Sequence, residues 1–403
     1  MNDTFEGKAL SFNNHYIDIY SNSWGPKDDG KSYGKPGPLS EEALKRGVQF
    51  GRQGKGCIFV WATGNGGLMD DDCNCDGYVT SIYTIGVGSI SDHGMSVYYK
   101  ESCASTIAVT FSGGSHHERD ENKLVTTDID GQCTDHFRGT SSSAPIASGI
   151  FALALEANPK LGWRDIQHLI VHSSTLTSPL DKGWQINGAG HHFNHKFGFG
   201  KLDAYNMVQM ARRWKNVGPQ RICNTFKLES PVILPSNGSL ELHVQSDGCK
   251  FSPANFVTKL EHVVLRMSFD AITRGSISIG LTSPMKTYSQ MLSRRSRDIE
   301  ETDWNYMTVF NWDESPKGTW IISIFDLSGT SPLNASTTAN STRFDEEDLA
   351  REVQCKYDNE QQTPTSSILY MKRFRRDSDD GDESQNQISK IIFKKIELIL
   401  YGT

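Results

Sequence analysis

No stretch of this chain stays apolar for the roughly 20 residues a membrane-spanning helix needs, which excludes a spanning segment here. Its opening, MNDTFEGKALSF, has neither the basic start nor the apolar centre of a secretory leader. Positive charge is not in excess: the net charge is −7, which argues against a nucleic-acid partner and favours a cationic one. Cysteine is sparse, with eight residues, yet CNC at 73–75 followed by Cys103 and Cys133 hints at bridges. Four Asn-x-Ser/Thr triplets, at Asn2, Asn237, Asn334 and Asn340, are compatible with secretion, although such triplets also arise by chance.

What is present is a soluble globular composition, 36% hydrophobic and 22% charged, in 403 residues, long enough for about two domains. Two patterns divide the chain. Up to about residue 215, short apolar runs alternate with helical stretches: IDIY (17–20), CIFVWA (57–62), SIYTIGVG (81–88) and IAVTF (107–111) suit a sheet covered on both faces. Between the first two lies SEEALKRGVQFGRQGK, a helix that Ser40 is placed to cap. Three later stretches, from Ala144, Gly162 and Leu202, have helical periodicity, which predicts an α/β domain with a mostly parallel sheet. From residue 223 to 403 the pattern is alternating strands (SLELHVQ, HVVLRMSF, SISIGLTS, TWIISIFDL, KKIELILYG), which predicts a separate all-β sandwich or barrel. The polar segment 329–388 reads as a surface loop inserted in that domain.

Chemistry concentrates in two places. In GTSSSAPIASG (139–149) a Gly-Thr-Ser turn feeds a helix of small residues that Ala144 and Pro145 start. Ser141 at a helix N-terminus is either a nucleophile beside dipoles that favour negative charge or a cap on a core helix. In FVWATGNGG (59–67) a buried strand ends in a glycine-rich loop around Asn65. Its carboxamide either donates to a developing oxyanion or holds a left-handed turn. The acids at 70–72, taken alone, read as a solvated loop.

IYSNSWGPKDDGK, FVWATGNGG, DDCNCDGY and GTSSSAP, in this order and spacing, closely resemble the subtilisin-like proprotein convertases, the kexin and furin family. The resemblance runs from about residue 6 to 225 and continues into that family's P domain, ending at LILYGT. It implies a subtilisin-like domain over 1–222 and an all-β P domain over 223–403, and a calcium-dependent serine endopeptidase of the secretory pathway that cuts precursor proteins after paired basic residues. It implies Ser141 as nucleophile and Asn65 as oxyanion donor. Ser23, Trp24 and Gly25 are implied as the edge that pairs with an extended substrate. Asp28 and Asp76 would receive the arginine before the cut, and Glu6 a basic residue further upstream. Asp28, Asp71 and Glu101 are implied as a Ca²⁺ site, and Cys73–Cys103 and Cys223–Cys249 as disulfides; hard oxygen ligands suit that ion.

The departures are equally specific. The family carries the Asp and His that activate its serine upstream of SWGP, and only some 20 residues precede SWGP here. The implied reading is an N-terminally incomplete catalytic domain, inactive as given, with a decoy or binding module for basic peptides as the alternative. His136 stands five residues before Ser141, on the wrong side of the turn; His116 and His117 read as loop. Cys133 lacks its family partner, Gly34 replaces a family acid, Arg138 replaces a small polar residue, and TRGS (273–276) stands in place of Arg-Gly-Asp. KRFRRDSDD predicts a convertase cut after Arg376, or else a basic patch in a loop.

Overall fold

The computed structural model describes residues 2–114, 124–234, 237–271, 274–295, 298, 302–328, 369–375 and 391–403. They form two compact units, one of Met1–Pro219 with Met307–Trp312 and Thr403, the other of Gln220–Tyr306 and Asp313–Gly402.

The first unit begins with helix α1 (Asp3–Ser11), strand β1 (Ile19–Asn22) and helix α2 (Pro38–Gly54), followed by β2 (Ile58–Ala62), β3 (Thr84–Ile90) and β4 (Ala108–Phe111). These four strands make one parallel sheet in the order β1-β2-β3-β4. A hairpin of β5 (Leu124–Thr127) and β6 (Cys133–Phe137) then leads into α3 (Thr140–Ala157). Helix α4 (Trp163–Ser173), the small ladder β7 (Gln185–Ile186) with β8 (His192–Phe193), and α5 (Ala204–Ala211) complete the unit. Every residue of β2 and β3 is buried, as a sheet covered on both faces requires. Phe59 and Trp61 pack with Ala43, Leu44 and Val48 of α2 on one face, and α3 runs across the strands on the other.

The helix starts correct the sequence reading twice. Ser40 does not cap α2: Gly37 is the N-cap, Pro38 supplies the first turn, and the Asp3 carboxylate of α1 accepts the N–H groups of Leu39 and Ser40 (2.9 Å each). Those bonds, the Leu39 N–H first, hold Asp3 below the ordinary carboxylate range. Ser40 is buried and its Oγ donates to Asp3 Oδ1 (2.8 Å). Nor do Ala144 and Pro145 start α3, which begins at Thr140 and carries Pro145 inside it.

The second unit consists of β9 (Arg221–Leu228), β10 (Val232–Leu234), β11 (Gly238–Ser246), β12 (Leu260–Asp270), β13 (Ile277–Thr282), β14 (Tyr288–Leu292), β15 (Thr302–Thr308), β16 (Gly318–Asp326), β17 (Leu369–Arg375) and β18 (Ile391–Gly402). One sheet runs β10-β18-β12-β15 with β9 also on β18; the other runs β14-β13-β16-β11-β17. Burial alternates strictly along β11, so each face has one destination. The segment 329–388 is not loop throughout: Leu369–Arg375 pairs with β11, Leu240 opposite Arg373. Arg376, the expected cut site, lies outside the described residues, as do Cys355, Asn334, Asn340, His116 and His117. No described helix is long and apolar enough to cross a membrane. Among the described residues the disulfides are Cys73–Cys103 and Cys223–Cys249, as the resemblance implied; Cys57 and Cys75 are buried thiols and Cys133 an exposed one.

Candidate active site

The chain enters α3 through Gly139, whose φ of 109° a residue with a side chain adopts only with strain. A Cβ there would also stand 3.2 Å from Asn65 Oδ1. Of the three serines that follow, two are absorbed by the fold. Ser142 Oγ donates to the Gly139 carbonyl (2.8 Å) and lies 2.9 Å from Ser112 Oγ, and Ser143 Oγ shares a hydrogen with Ser89 Oγ (2.8 Å) on β3. Ser141 alone stays partly exposed, and its Oγ has no hydrogen-bond partner among the described residues. Pro145 explains a further contact. Lacking an N–H, it leaves the carbonyl four residues earlier, that of Ser141, without its helical donor. Ser23 Oγ donates to that carbonyl instead (3.0 Å), tying the segment after β1 to the start of α3.

Asn65 follows β2 directly. The left-handed position of this loop is Gly64, with φ of 100°, so Asn65 is not there to hold a left-handed turn. The Thr140 N–H donates to Asn65 Oδ1 (2.8 Å), and Thr140 Oγ1 lies 3.1 Å from the same oxygen. A backbone N–H can only donate, so the carboxamide is oriented with its oxygen anchored and its NH₂ group free of described partners. The anchoring residue immediately precedes Ser141. Two donors, the amide of Asn65 and the first-turn N–H groups of α3, therefore flank the free hydroxyl.

The edge segment and the acids lie around this turn. Ser23 and Gly25 are exposed and Trp24 half-buried. Trp24 packs edge-on against Trp61 (4.7 Å) and Tyr78 (5.0 Å), and its carbonyl accepts from Trp61 Nε1 (2.6 Å). Gly25 sits over Asp76: a Cβ would come 2.9 Å from Asp76 Oδ2. Asp28 Oδ2 accepts the Asn65 N–H (3.0 Å), and Asp71 Oδ2 the Gly30 N–H (3.0 Å). Glu101, 4% exposed, accepts the Gly66 N–H at Oε1 (2.9 Å). The three acids at 70–72 are not a uniform solvated loop, because Asp72 is buried and accepts the Asn74 N–H (2.9 Å). Glu6, on α1, is buried with its Oε2 accepting from Tyr78 Oη (2.5 Å) and 3.4 Å from Ser40 Oγ. Burial pushes the Tyr78 hydroxyl far above its usual range, Glu6 adding to it.

These carboxylates repel one another. Burial first, then Asp71 and Asp28, holds Glu101 well above the ordinary carboxylate range. Asp76 keeps part of its surface open, yet desolvation, with Asp28 and Asp71, raises it to about 8 against the lowering effect of the Tyr78 and Val79 N–H groups. A cation brought among them restores their charge. Asp28, Asp71 and Glu101 fit a calcium ion by donor chemistry, all being hard oxygens with Glu101 buried against the other two. Their oxygens do not all lie within 4.8 Å of one another, whereas opposed ligands of one Ca²⁺ stand up to about 5 Å apart.

No histidine among the described residues hydrogen-bonds Ser141; His136, on β6, is largely exposed and pairs with Asp135 (3.2 Å). Sequence reasoning missed Thr140, the anchor of Asn65, and Tyr78, the partner of Glu6. The only signal for Thr140 was its place between the glycine and the serine.

Residues 1–200 match the Subtilase family, and residues 260–336 the Proprotein convertase P-domain. This chain belongs to the subtilisin-like proprotein convertases. It is 56% identical over 327 residues to the PC3-like endoprotease variant B of Hydra vulgaris, a match covering 80% of this chain and 46% of that protein. It is 45% identical to proprotein convertase subtilisin/kexin type 6 of Homo sapiens (81% and 34% covered) and 44% identical to Furin-1 of Xenopus laevis (83% and 42%). The chain thus spans under half the length of these curated relatives. The serine protease of Aeromonas sobria shares the fold with a TM-score of 0.71 at 16% identity, over 96% of this chain and 72% of that one. The convertase assignment accounts for a parallel-sheet unit followed by an antiparallel one within a single chain.

Proposed function

We propose that this convertase chain carries the nucleophile, oxyanion and arginine-pocket half of a calcium-dependent serine endopeptidase of the secretory pathway, acting on precursor proteins after paired basic residues. The observation that carries the proposal is the pairing at one turn of a serine hydroxyl without a partner, Ser141, with a carboxamide whose oxygen Thr140 anchors. An extended peptide adds along Ser23–Gly25, and its arginine enters toward Asp28 and Asp76, with Glu6 taking a basic residue further upstream. Ser141 Oγ attacks the carbonyl carbon; the C–O bond forms and the carbonyl electrons move onto oxygen. Asn65 Nδ2 and the first-turn N–H of α3 receive that oxyanion. Asp28, Asp71 and Glu101 would hold Ca²⁺, whose charge keeps the neighbouring carboxylates ionised.

The hydroxyl proton needs a base, and no described residue offers one at Ser141. That observation favours a second reading for these 403 residues alone: binding of basic peptides without turnover. A labelled Arg-x-Lys-Arg peptide tests the pocket. Its anisotropy should report binding with calcium, Asp76→Asn should weaken it at least about tenfold, 1.4 kcal/mol, and Ser141→Ala should leave it unchanged. Equal binding by Asp76→Asn with calcium present contradicts the pocket assignment.

A further inference from the structure

Beside the C-terminal ends of α4 and α5 lies an open cavity of about 720 Å³, lined by residues of the first unit only. Its wall carries Arg213 and Lys215, and no carboxylate lines it. Neither cation has an ion-pair or hydrogen-bond partner among the described residues. Both cations lie in the basic stretch ARRWK (211–215), whose Arg212, Arg213 and Lys215 are exposed. Asp203, at the start of α5, is occupied by Asn206, which donates to it from both its backbone N–H and Nδ2 (2.9 Å each).

The rest of the wall mixes apolar surface, from Met210 and Trp214, with polar side chains. Ser174 Oγ is shielded from solvent without a hydrogen-bond partner, and the Gln209 carboxamide makes no bond among the described residues. Trp214 is held by its Nε1, which donates to Asp165 Oδ1 (2.9 Å), so the indole forms a rigid side of the cavity. The C-termini of α4 and α5 each direct up to about half a negative charge toward this region. The two full positive charges of Arg213 and Lys215 exceed that sum. Guanidinium, ammonium and carboxamide together are donors suited to a tetrahedral oxyanion, and the indole to an uncharged ring beside it.

We propose that this cavity binds a sulfate or phosphate group carried on a small polar molecule, at a site separate from Ser141. The test uses the full 403-residue chain at low ionic strength, titrated calorimetrically with inorganic sulfate, inorganic phosphate and a sulfated disaccharide. At least one should bind with a Kd of about 1 mM or tighter. Arg213→Gln and Lys215→Gln should each weaken binding at least tenfold, and Trp214→Phe should weaken the disaccharide more than the free ions. Equal affinity for ions and disaccharide assigns the site to a free oxyanion; tighter disaccharide binding assigns it to a sulfate ester. Binding that survives both substitutions, or no binding of any probe below 10-fold that Kd, overturns the proposal. Basic-peptide binding by Arg213→Gln should be unchanged, so failure here leaves the peptide-site reading standing.

Discussion

The two units solve the burial problem in different ways, and the difference decides where chemistry can sit. In the first, β2 and β3 are buried on both faces, so polar groups gather in the turns beyond the strand ends: Asn65 after β2, Ser141 at the start of α3. In the second, β11 has one inner row and one outer row, as Leu240, Leu242 and Val244 alternate with Glu241 and His243. Parallel strands leave their carboxyl ends to loops that can be specialised without disturbing the core.

The contrast can be broken most forcefully by substituting neighbours in one strand. Ile58→Ala and Phe59→Ala, both in β2, should each destabilise, by about 2–5 and 3–5 kcal/mol, because both faces are core. In β11, Leu242→Ala should cost about 2–5 kcal/mol and His243→Ala no more than about 0.5. Denaturant melts of the four variants check this, and a cheap Ile58→Ala would contradict the two-sided sheet. Next in size is the Cys73–Cys103 bridge, which closes a span of 30 residues in the first unit. Replacing both cysteines by serine should cost about 3–4 kcal/mol, read in the same melts.

Calcium sharpens the comparison, since the crowded acids belong to the first unit alone. Glu101 and Asp76 are raised above their unfolded values. Without the ion, their contribution to stability is full below about pH 4 and is lost as pH rises through the folded value, about 8 for Asp76. Calcium should reverse that loss, raising stability by about 2.7 kcal/mol at a hundredfold excess over its Kd. The rise should be larger at pH 8 than at pH 5, and Asp71→Asn should remove most of it. A calcium response equal at both pH values contradicts the electrostatic account. The smallest effect is Thr140→Val, which removes one hydroxyl contact to Asn65 while keeping the backbone one. It should cost about 1 kcal/mol in the same melts.

Legibility followed the same division. The alternating rows of the second unit could be read strand by strand, because period-two burial is a local property. Strand β17 could not, since Leu369–Arg375 lies in a polar stretch and is paired by β11, more than a hundred residues away. In the first unit Asn65 and Ser141 stood out on glycine turns. The choice among Ser141, Ser142 and Ser143 rested on the resemblance; the hydroxyls that occupy the other two, on Ser112 and Ser89, come from distant strands. The cap of α2 was misread for the same reason, because Asp3 reaches it across 36 residues.

The central proposal is that Ser141 and Asn65 form half of a catalytic site, with no base beside Ser141 among the described residues. It is tested most directly by hydrolysis of a fluorogenic Arg-x-Lys-Arg peptide with calcium, comparing this chain with a chimera that supplies the family's upstream Asp and His motifs. The chain alone should be slower by roughly a million-fold in turnover, because triad members act as a unit. The chimera should cut, and Ser141→Ala in it should abolish cutting. Efficient cleavage by the 403-residue chain, lost on Ser141→Ala, would show that another residue serves as base and would contradict the account.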